Sequence, residues 1–528
     1  MCAMMGTHER WAPMNQRWYL AIDLGTGGTK VGAVAEDGRV LHAAFSSVDT
    51  DLTDDGGCEQ DTEQWWTGTV GSIRDVLTAL DEPGECAGIG ITGQWGSTVA
   101  VGSDGIALAP CVLWSDHRGA PWSKKVTGGT VSVSGYAPAK IVQWLRLAGG
   151  APNPNGADPT GHAQFLKHER PDAYRRAAAL IEPVDFVGLR LTGRIAATPA
   201  SMIGSWLTDN RPGAAVGYDA TLVKLARRDR AKLPDLIATG SALGTLLPDV
   251  AAELGLPIST AVVCGVPDLH TAAMGAGAVA DFAGHISIST TAWVSAPVPF
   301  KKADVIHQMA SIPGLREGSY VIANNHETGG SALRWLRDAV LTDGGYDTLT
   351  ADAATAAPGS GGVIFCPWLN GERSPVSDEN LRASFLNVSV ATTRADLIRA
   401  VLEGVAYNAR WLLEVTEKFA GRPLDGLRLL GGGATSDLWC QIHADVIGRP
   451  IHQVADPVNV NLRGAAWFAA LHLGHLTLVE IAARAPTART FEPSAQTAPT
   501  YARSYSEFVR LAKAQRQMYR RLNGPRAR

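Results

Sequence analysis

The stretch that decides the fold runs from residue 18 to residue 45 and reads WYLAIDLGTGGTKVGAVAEDGRVLHAAF. It contains three short apolar or alternating segments, at 18–23, 29–35 and 39–45. The turn Gly25-Thr26-Gly27-Gly28 joins the first two segments, and Asp37-Gly38, a strong hairpin signal, joins the second and third. The pattern predicts an antiparallel meander of three strands that opens a domain.

A second pattern of the same shape begins at Gly284. Two predicted strands flank the hydroxyl-rich turn Ser289-Thr290-Thr291. Further strand and helix signals follow at 320–323, 331–341 and 427–430. The two similar beginnings predict two domains of similar design, over residues 1–270 and 280–528.

Helix and strand signals alternate through the rest of the chain. Residues 61–80 have apolar side chains mostly at helical spacing, and 87–92 have the pattern of a buried strand. The stretch 148–160 is rich in turn residues and predicts a surface loop. The basic segment 501–528 is helical in pattern, which predicts a terminal helix docked on the second domain.

Composition excludes several classes of protein. Hydrophobic residues make up 45% of the 528-residue chain and charged residues 19%, which allows a large core and argues against global disorder. The net charge of −4 provides no basic excess for a phosphate backbone, so no nucleic-acid partner is expected. No apolar run approaches the roughly 18–20 residues of a membrane helix, and the first 17 residues have no apolar core of signal-peptide type.

The seven cysteines are scattered and form no CxxC pair. They are Cys2, Cys58, Cys86, Cys111, Cys264, Cys366 and Cys440. Neither a disulfide framework nor a cysteine zinc site is indicated, so a reducing, cytoplasmic location is expected.

The segment from Asp23 to Lys30, DLGTGGTK, suits contact with a nucleotide phosphate. Glycines let the backbone approach an anion, N–H groups and threonine hydroxyls donate to it, and Lys30 adds a positive charge. Asp23, at the strand end, is a candidate Mg²⁺ ligand through water. The alternative is a glycine-rich hairpin with an ordinary strand-end aspartate.

Two common glycine-rich nucleotide motifs do not apply. GxxxxGK[ST] occurs nowhere in the chain. A GxGxxG string at Gly88, Gly90 and Gly93 lies inside a predicted strand and opens no helix, whereas the dinucleotide fingerprint requires strand, glycines and then helix. We interpret this match as chance.

Three further segments each allow two interpretations. The run 429–437, LLGGGATSD, predicts a strand, a glycine turn and a helix start, which suits either a nucleotide or a tight turn capped by Ser436 or Asp437. Asp268 precedes a helix of small residues and is either an N-cap or a general base, whereas its neighbour His270 is expected to be structural. The pair Glu372-Arg373 is either a loop ion pair or part of an active-site wall.

Taken together, these segments resemble the FGGY family of carbohydrate kinases, and most nearly its xylulokinase-like branch. The resemblance runs from about Trp18 to Arg521 and keeps the family's order of motifs. The matching segments are DLGTGGTK, Gly93-Gln94-Trp95-Gly96, Trp114-Ser115-Asp116-His117-Arg118, Asp185 to Gly193, Asp268, Ser289-Thr290-Thr291, Gly371-Glu372-Arg373-Ser374-Pro375 and GGGATSD. Eight motifs in the right order over some 500 residues make the resemblance specific.

The resemblance implies an α/β fold with two ribonuclease-H-like domains, as in actin-like ATPases, flanking a central cleft. It implies that the first domain binds the sugar and carries the first phosphate motif, and that the second domain mainly binds ATP. The implied base is Asp268, with Asp23 near Mg²⁺. The implied nucleotide contacts are Thr26, Gly27, Gly28, Lys30, Thr290, Gly330, Gly433 and Asp437, and the implied sugar contacts are Trp95, Gly96, Asp116 and Tyr136.

The sugar-side signature departs from the xylulokinase pattern. Trp95 stands where these kinases have methionine, and Gly96 where they have histidine. The predicted function is therefore ATP- and Mg²⁺-dependent phosphorylation of a ketose or polyol that is not necessarily D-xylulose, by a protein with a possible homodimeric state. The altered pair also motivates an alternative, a sugar-responsive binding or regulatory protein with little kinase activity. The presence of both Asp23 and Asp268 argues against it.

Overall fold

The computed structural model describes residues 17–80, 84–316 and 318–524. The predictions on Cys2 and on the first 16 residues lie outside this part of the chain. The six cysteines that it includes are all buried and unpaired. Within the same residues, no helix is long and apolar enough to cross a membrane.

The first half of the chain, up to residue 275, is a mixture of strands and helices. Its strands are β1 Trp18–Gly25, β2 Gly28–Ala35, β3 Val40–Ser47, β4 Asp51–Leu52, β5 Cys58–Gln60, β6 Cys86–Gly93, β7 Val99–Val101, β8 Cys111–Val112, β9 Ala179–Ile181, β10 Ala196–Ala197, β11 Asp235–Leu236, β12 Ala242–Thr245, β13 Ala261–Val263 and β14 Val266–Pro267. Its helices are α1 Thr62–Thr78, α2 Ala120–Thr127, α3 Pro138–Leu147, α4 Pro159–Glu169, α5 Pro171–Arg176, α6 Pro183–Thr192, α7 Ala220–Leu225, α8 Pro248–Leu254 and α9 Asp268–Gly275.

The second half repeats this mixture. Its strands are β15 Ala283–Ile288, β16 Ala292–Ser295, β17 Pro297–Val298, β18 Ala303–Asp304, β19 Met309–Pro313, β20 Tyr320–Ala323, β21 Ile364–Cys366, β22 Ser384–Leu386, β23 Asp425–Leu430, β24 Ile451–Val454 and β25 Thr487–Phe491. Its helices are α10 Ser331–Trp335, α11 Tyr346–Thr355, α12 Arg394–Ala420, α13 Asp437–Ile447, α14 Val460–His472, α15 Leu478–Arg484 and α16 Ala498–Asn523.

The two main sheets share one topology. In the first sheet, five strands follow in the order β2, β1, β6, β13, β12. The three middle strands are parallel to one another, and β2 and β12 are antiparallel to their neighbours. In the second, β16, β15, β23, β24 and β25 follow in the same order with the same directions. The predicted three-stranded meander is confirmed as β1, β2 and β3. The second beginning, predicted at Gly284, falls in β15.

Helix α14 comes from the second half of the sequence but packs on the first sheet, against β1, β6 and α9. Glycines make the close approach possible. A Cβ atom on Gly90 of β6 would lie 2.0 Å from the carbonyl oxygen of Ala465, and one on Gly464 would lie 1.9 Å from that of Thr271. The glycines of the GxGxxG string thus belong to a strand interior, and Gly90 provides room for a helix. The division at residues 270–280 stays a prediction.

The terminal helix α16 docks on the second half, as predicted. Tyr501, Tyr505 and Phe508 are buried in its core, and the rings of Trp368 and Tyr407 lie 5.4 and 5.8 Å from that of Phe508. The basic side chains of the helix therefore need no ligand to explain its position.

Candidate active site

Two carboxylates meet at one edge of the first sheet. Asp23 lies near the end of β1, and Asp268 directly follows β14 as the first residue of α9. Strand β6 pairs with both, since its Thr92 lies opposite Asp23 and its Gly93 opposite Pro267. The carboxyl ends of neighbouring parallel strands thus bring the two side chains into electrostatic contact.

The helix start decides between the two interpretations of Asp268. The N-cap of α9 is Pro267, and no side chain caps the helix. The Asp268 carboxylate accepts the backbone N–H of Leu269, and no side chain in the described part of the chain donates to it. Asp268 is therefore no N-cap, and its carboxylate is available to a ligand.

The pKa of Asp268 is raised to about 7, first by burial and then by the negative charge of Asp23. Burial also raises the pKa of Asp23, against the opposing effects of Lys30 and of a hydrogen bond from Asn461. A carboxylate with a pKa close to neutral is well matched to accept a proton from an alcohol. Asn461 is a neighbour that the sequence did not reveal, because it lies more than 400 residues from Asp23.

This pKa predicts an acidic limb, a fall of activity toward low pH, in the pH profile of kcat/KM. A base acts only when ionised, so kcat/KM for the phosphoryl acceptor is expected to fall about tenfold per pH unit below about 7 and to level off above it. In Asp23→Asn the neighbouring negative charge is lost, so the limb is expected to move to lower pH, whatever the absolute rate. A profile that is flat between pH 5 and 8 would contradict the assignment of Asp268.

The β1–β2 turn presents backbone to the same edge. Gly27 is exposed, and a Cβ atom on Gly28, whose φ is +149°, would lie 2.2 Å from the carbonyl oxygen of Ser46. Lys30 lies opposite Asp23 in the hairpin and donates to the carbonyl oxygen of Val458, 2.9 Å away. Lys30 thus links the turn to the loop before α14, and its contact with a phosphate stays a prediction.

Polar side chains from distant segments support this turn, and the sequence analysis did not connect them with it. The Thr26 hydroxyl donates to Gln94 (3.3 Å) and accepts from the indole N–H of Trp114 (3.2 Å), while Gln60 donates to the Thr26 carbonyl oxygen (2.7 Å). These partners come from separate strands and loops, so no local pattern in the sequence predicts them.

Trp95 and Gly96 follow β6 after Gln94, and Trp95 contacts the cluster that contains Leu269, the neighbour of Asp268. The indole of Trp95 packs on an apolar cluster at the junction of the two halves, formed by Ile203, Leu269 and residues of β19 and β20. Gly96 has a φ of +81°, and its N–H donates to the buried Glu182. This segment therefore forms part of the wall next to Asp268.

The Asp116 carboxylate is bound by protein groups. Its side chain is fully buried and accepts from the N–H of Cys58 (2.8 Å) and from the guanidinium of Arg118 (2.7 Å). Arg118 also pairs with Glu59. Asp116 therefore holds its loop together, and its contact with a sugar stays a prediction.

Glu372 and Arg373 form no ion pair with each other in the part of the chain that the structure describes. The Glu372 carboxylate is buried and accepts from the N–H of Glu327 (3.1 Å) and from the Asn408 amide (2.7 Å). Arg373 is exposed, and its charge acts on Tyr136 of the first half. Tyr136 and Arg373 thus approach each other from the two halves of the chain.

Three of the four predicted nucleotide contacts of the second half lie around the β15–β16 turn, and the fourth, Asp437, lies at its margin. The N–H of Gly330 donates to Ser289 (2.6 Å) and that of Gly329 to Thr290 (3.0 Å). A Cβ atom on Gly433 would lie 2.5 Å from Ile288 at the end of β15, so Thr290, Gly330 and Gly433 are brought together. Asp437 begins α13, is more exposed, and pairs with Arg489 at 2.9 Å, while Ser436 caps the helix.

No group of three or more His, Cys, Asp or Glu side chains that could hold a metal ion occurs within residues 17–80, 84–316 and 318–524. Asp23 and Asp268 form a pair only. Mg²⁺ is commonly bound by one or two carboxylates together with substrate phosphates, so this pair fits that mode of binding rather than an all-protein site.

Known proteins match the chain over almost its whole length. Residues 18–275 match the N-terminal domain, and residues 289–473 the C-terminal domain, of the FGGY family of carbohydrate kinases. A xylulose kinase of Staphylococcus epidermidis is 26% identical over 514 residues, which cover 94% of this chain and 97% of that protein. The chain belongs to the FGGY family of carbohydrate kinases. It is thus a sugar kinase, an enzyme of a family that uses ATP to phosphorylate an alcohol group.

Solved structures agree on the fold. A ligand-bound xylulose kinase and a gluconate kinase, both from Lactobacillus acidophilus, each superpose with a TM-score of 0.84 at 21% identity, over 96% of this chain and 100% of theirs. The expected α/β architecture of two ribonuclease-H-like domains, as in actin-like ATPases, is confirmed.

Proposed function

We propose that this kinase transfers the γ-phosphoryl group of ATP to a hydroxyl of a ketose or polyol, with Asp268 as the general base. The observation that carries the proposal is the position of Asp268, whose carboxylate accepts from no side chain among the described residues, feels the charge of Asp23 and adjoins Leu269, on which Trp95 packs. A xylulose kinase relative that covers 94% of the chain supports the acceptor class.

In this proposal the residues act mainly by positioning. Asp268 accepts the proton of the attacking hydroxyl, and the backbone of Thr26, Gly27 and Gly28 contacts the phosphates, as does Lys30. Thr290, Gly330 and Gly433 hold the nucleotide from the second half, with Asp437 at the margin. Phosphoryl transfer requires little covalent chemistry from the protein, so aligned donors and charge stabilisation are sufficient.

Mg²⁺ is part of the proposal, with Asp23 as its main protein ligand. The Asp23 carboxylate lies at the strand end beside the phosphate turn, and its charge is offset only partly by Lys30. A bound Mg²⁺ would neutralise charge on the phosphates of ATP.

The acceptor is proposed to lie against Trp95 and Gly96, close to Tyr136. The indole of Trp95 offers a flat apolar surface on which a sugar face can stack, and Gly96 leaves room for a hydroxyl pattern different from that of D-xylulose. Asp116 is given no direct contact in this proposal, because its carboxylate already accepts from Cys58 and Arg118.

A substrate panel tests the proposal. ADP release is measured with ATP and Mg²⁺ in the presence of D-xylulose, other ketoses, polyols and gluconate, with Asp268→Asn as the inactive control. Release that depends on one ketose or polyol is the expected result. Release with gluconate alone would overturn the acceptor class, and measurable sugar binding without any release would favour a regulatory protein.

A further inference from the structure

Glu182, which directly precedes α6, accepts hydrogen bonds from the backbone of Gly96 and Ser97, next to Trp95. Its side chain is buried, and its Oε2 atom accepts the N–H of Gly96 at 2.9 Å and that of Ser97 at 3.1 Å. One carboxylate, 85 residues away in the sequence, thus fixes two successive amides.

The opposite side of the same backbone is also closed. A Cβ atom on Gly204 would lie 3.1 Å from the Cα atom of Gly96 and 3.6 Å from Glu182 Oε1. Gly96 itself has a φ of +81°, a conformation that a residue with a side chain adopts only under strain. Gly96, which adjoins Trp95, is therefore packed closely against both Glu182 and Gly204.

Burying Glu182 is costly, and few groups offset the cost. Its pKa is raised well above the ordinary value by burial and by the neighbouring Asp185, while the two amides and the charge of Arg228 act in the opposite direction. Its Oε1 atom has no hydrogen-bond partner within the described residues. The hydrogen bonds of this side chain are therefore directed at the Gly96-Ser97 backbone.

We propose that Glu182 is a positioning residue for the phosphoryl acceptor. It does not touch the sugar. It holds Gly96 and Ser97 so that the Trp95 indole and the space at Gly96 match one acceptor. This inference rests on the proposed function, in which the acceptor lies against Trp95 and Gly96.

Two substitutions of Glu182 by side chains of similar size distinguish a positioning role from a contribution to stability alone. Glu182→Leu cannot accept the amides, so KM for the acceptor is expected to rise about tenfold or more, while KM for ATP changes less than about threefold. The kcat/KM ratio between the preferred acceptor and the next best is expected to shift as well. Glu182→Gln retains a carbonyl oxygen for both amides, so its acceptor KM is expected within about threefold of that of the wild type.

Val250→Ala, at a buried residue of α8, is the matched control for lost core stability. It is expected to lower Tm without moving either KM. Equal acceptor KM values in Glu182→Leu and Val250→Ala would overturn the inference, and so would a loss in Glu182→Gln as large as that in Glu182→Leu.

Glu182→Asp serves if the leucine variant does not fold. Its carboxylate is one methylene shorter and cannot reach both amides, so an intermediate rise in acceptor KM is expected, and an unchanged KM overturns the inference. If the wild-type protein shows no acceptor-dependent ADP release, the proposed function itself is wrong. The substrate panel detects that outcome separately from the Glu182 variants.

Discussion

Asp268→Asn is expected to lower kcat by about 10²–10⁴-fold, the range for losing a positioned general base. The amide has nearly the same size as the carboxylate, so the start of α9 is retained, but it cannot take a proton from the attacking hydroxyl. Binding of ATP is expected to persist, because the predicted nucleotide contacts lie on the β1–β2 turn and in the second half of the chain. Steady-state turnover and a nucleotide titration by calorimetry measure the two quantities.

Glu253→Gln is a suitable control for Asp268→Asn. Glu253 of α8 pairs at the surface with Arg74 of α1 at 3.2 Å. Its substitution is expected to leave kcat within about twofold, because exposed ion pairs contribute little. Near-normal turnover by Asp268→Asn with a good acceptor would remove the base from the mechanism.

Arg463→Ala is expected to reduce the free energy of unfolding by about 3–5 kcal/mol, since buried acceptors left without donors cost about 1–3 kcal/mol each. The guanidinium is 2% exposed. It donates to the carbonyl oxygens of Gly38 (2.8 Å), Gly275 (3.2 Å) and Ala455 (2.8 Å), which lie after β2, at the end of α9 and after β24. The shift of the urea midpoint measures the loss.

Arg484→Ala is the comparison for Arg463→Ala. Arg484 pairs with Glu36 at 3.2 Å, but 32% of its side chain is exposed. Its removal is expected to cost about 0–1 kcal/mol, the usual range for exposed pairs. Equal midpoints for the two variants would show that the three carbonyl contacts of Arg463 do not stabilise the fold.

Local patterns in the sequence predicted the parts of the fold that depend on neighbouring residues. The β1–β2–β3 meander follows from alternation and from two turn signals within 28 residues, and the docked helix α16 follows from its apolar spacing. Both are confirmed, and the strand and helix patterns on which they depend are local even though the docking of α16 is not.

The remainder of the candidate site depends on contacts between distant segments. Nothing near Asp268 in the sequence distinguishes a cap from a base, and only the position of Pro267 and the proximity of Asp23 do so. The hydrogen bond from Cys58 to Asp116 could not be predicted either, because 58 residues separate the two. Glu182 went unnoticed because its amide partners lie far away along the chain.

The packing of α14 has a consequence for fragments and chimaeras of this enzyme. A polypeptide ending near residue 275 would lack the helix that covers Tyr19, Ala21 and Val34. An apolar surface of the first sheet would then be exposed to water, and the fragment would aggregate. Shuffling with a relative would have to transfer residues 18–275 together with 460–472. Despite their repeated topology, the two halves are not independent modules.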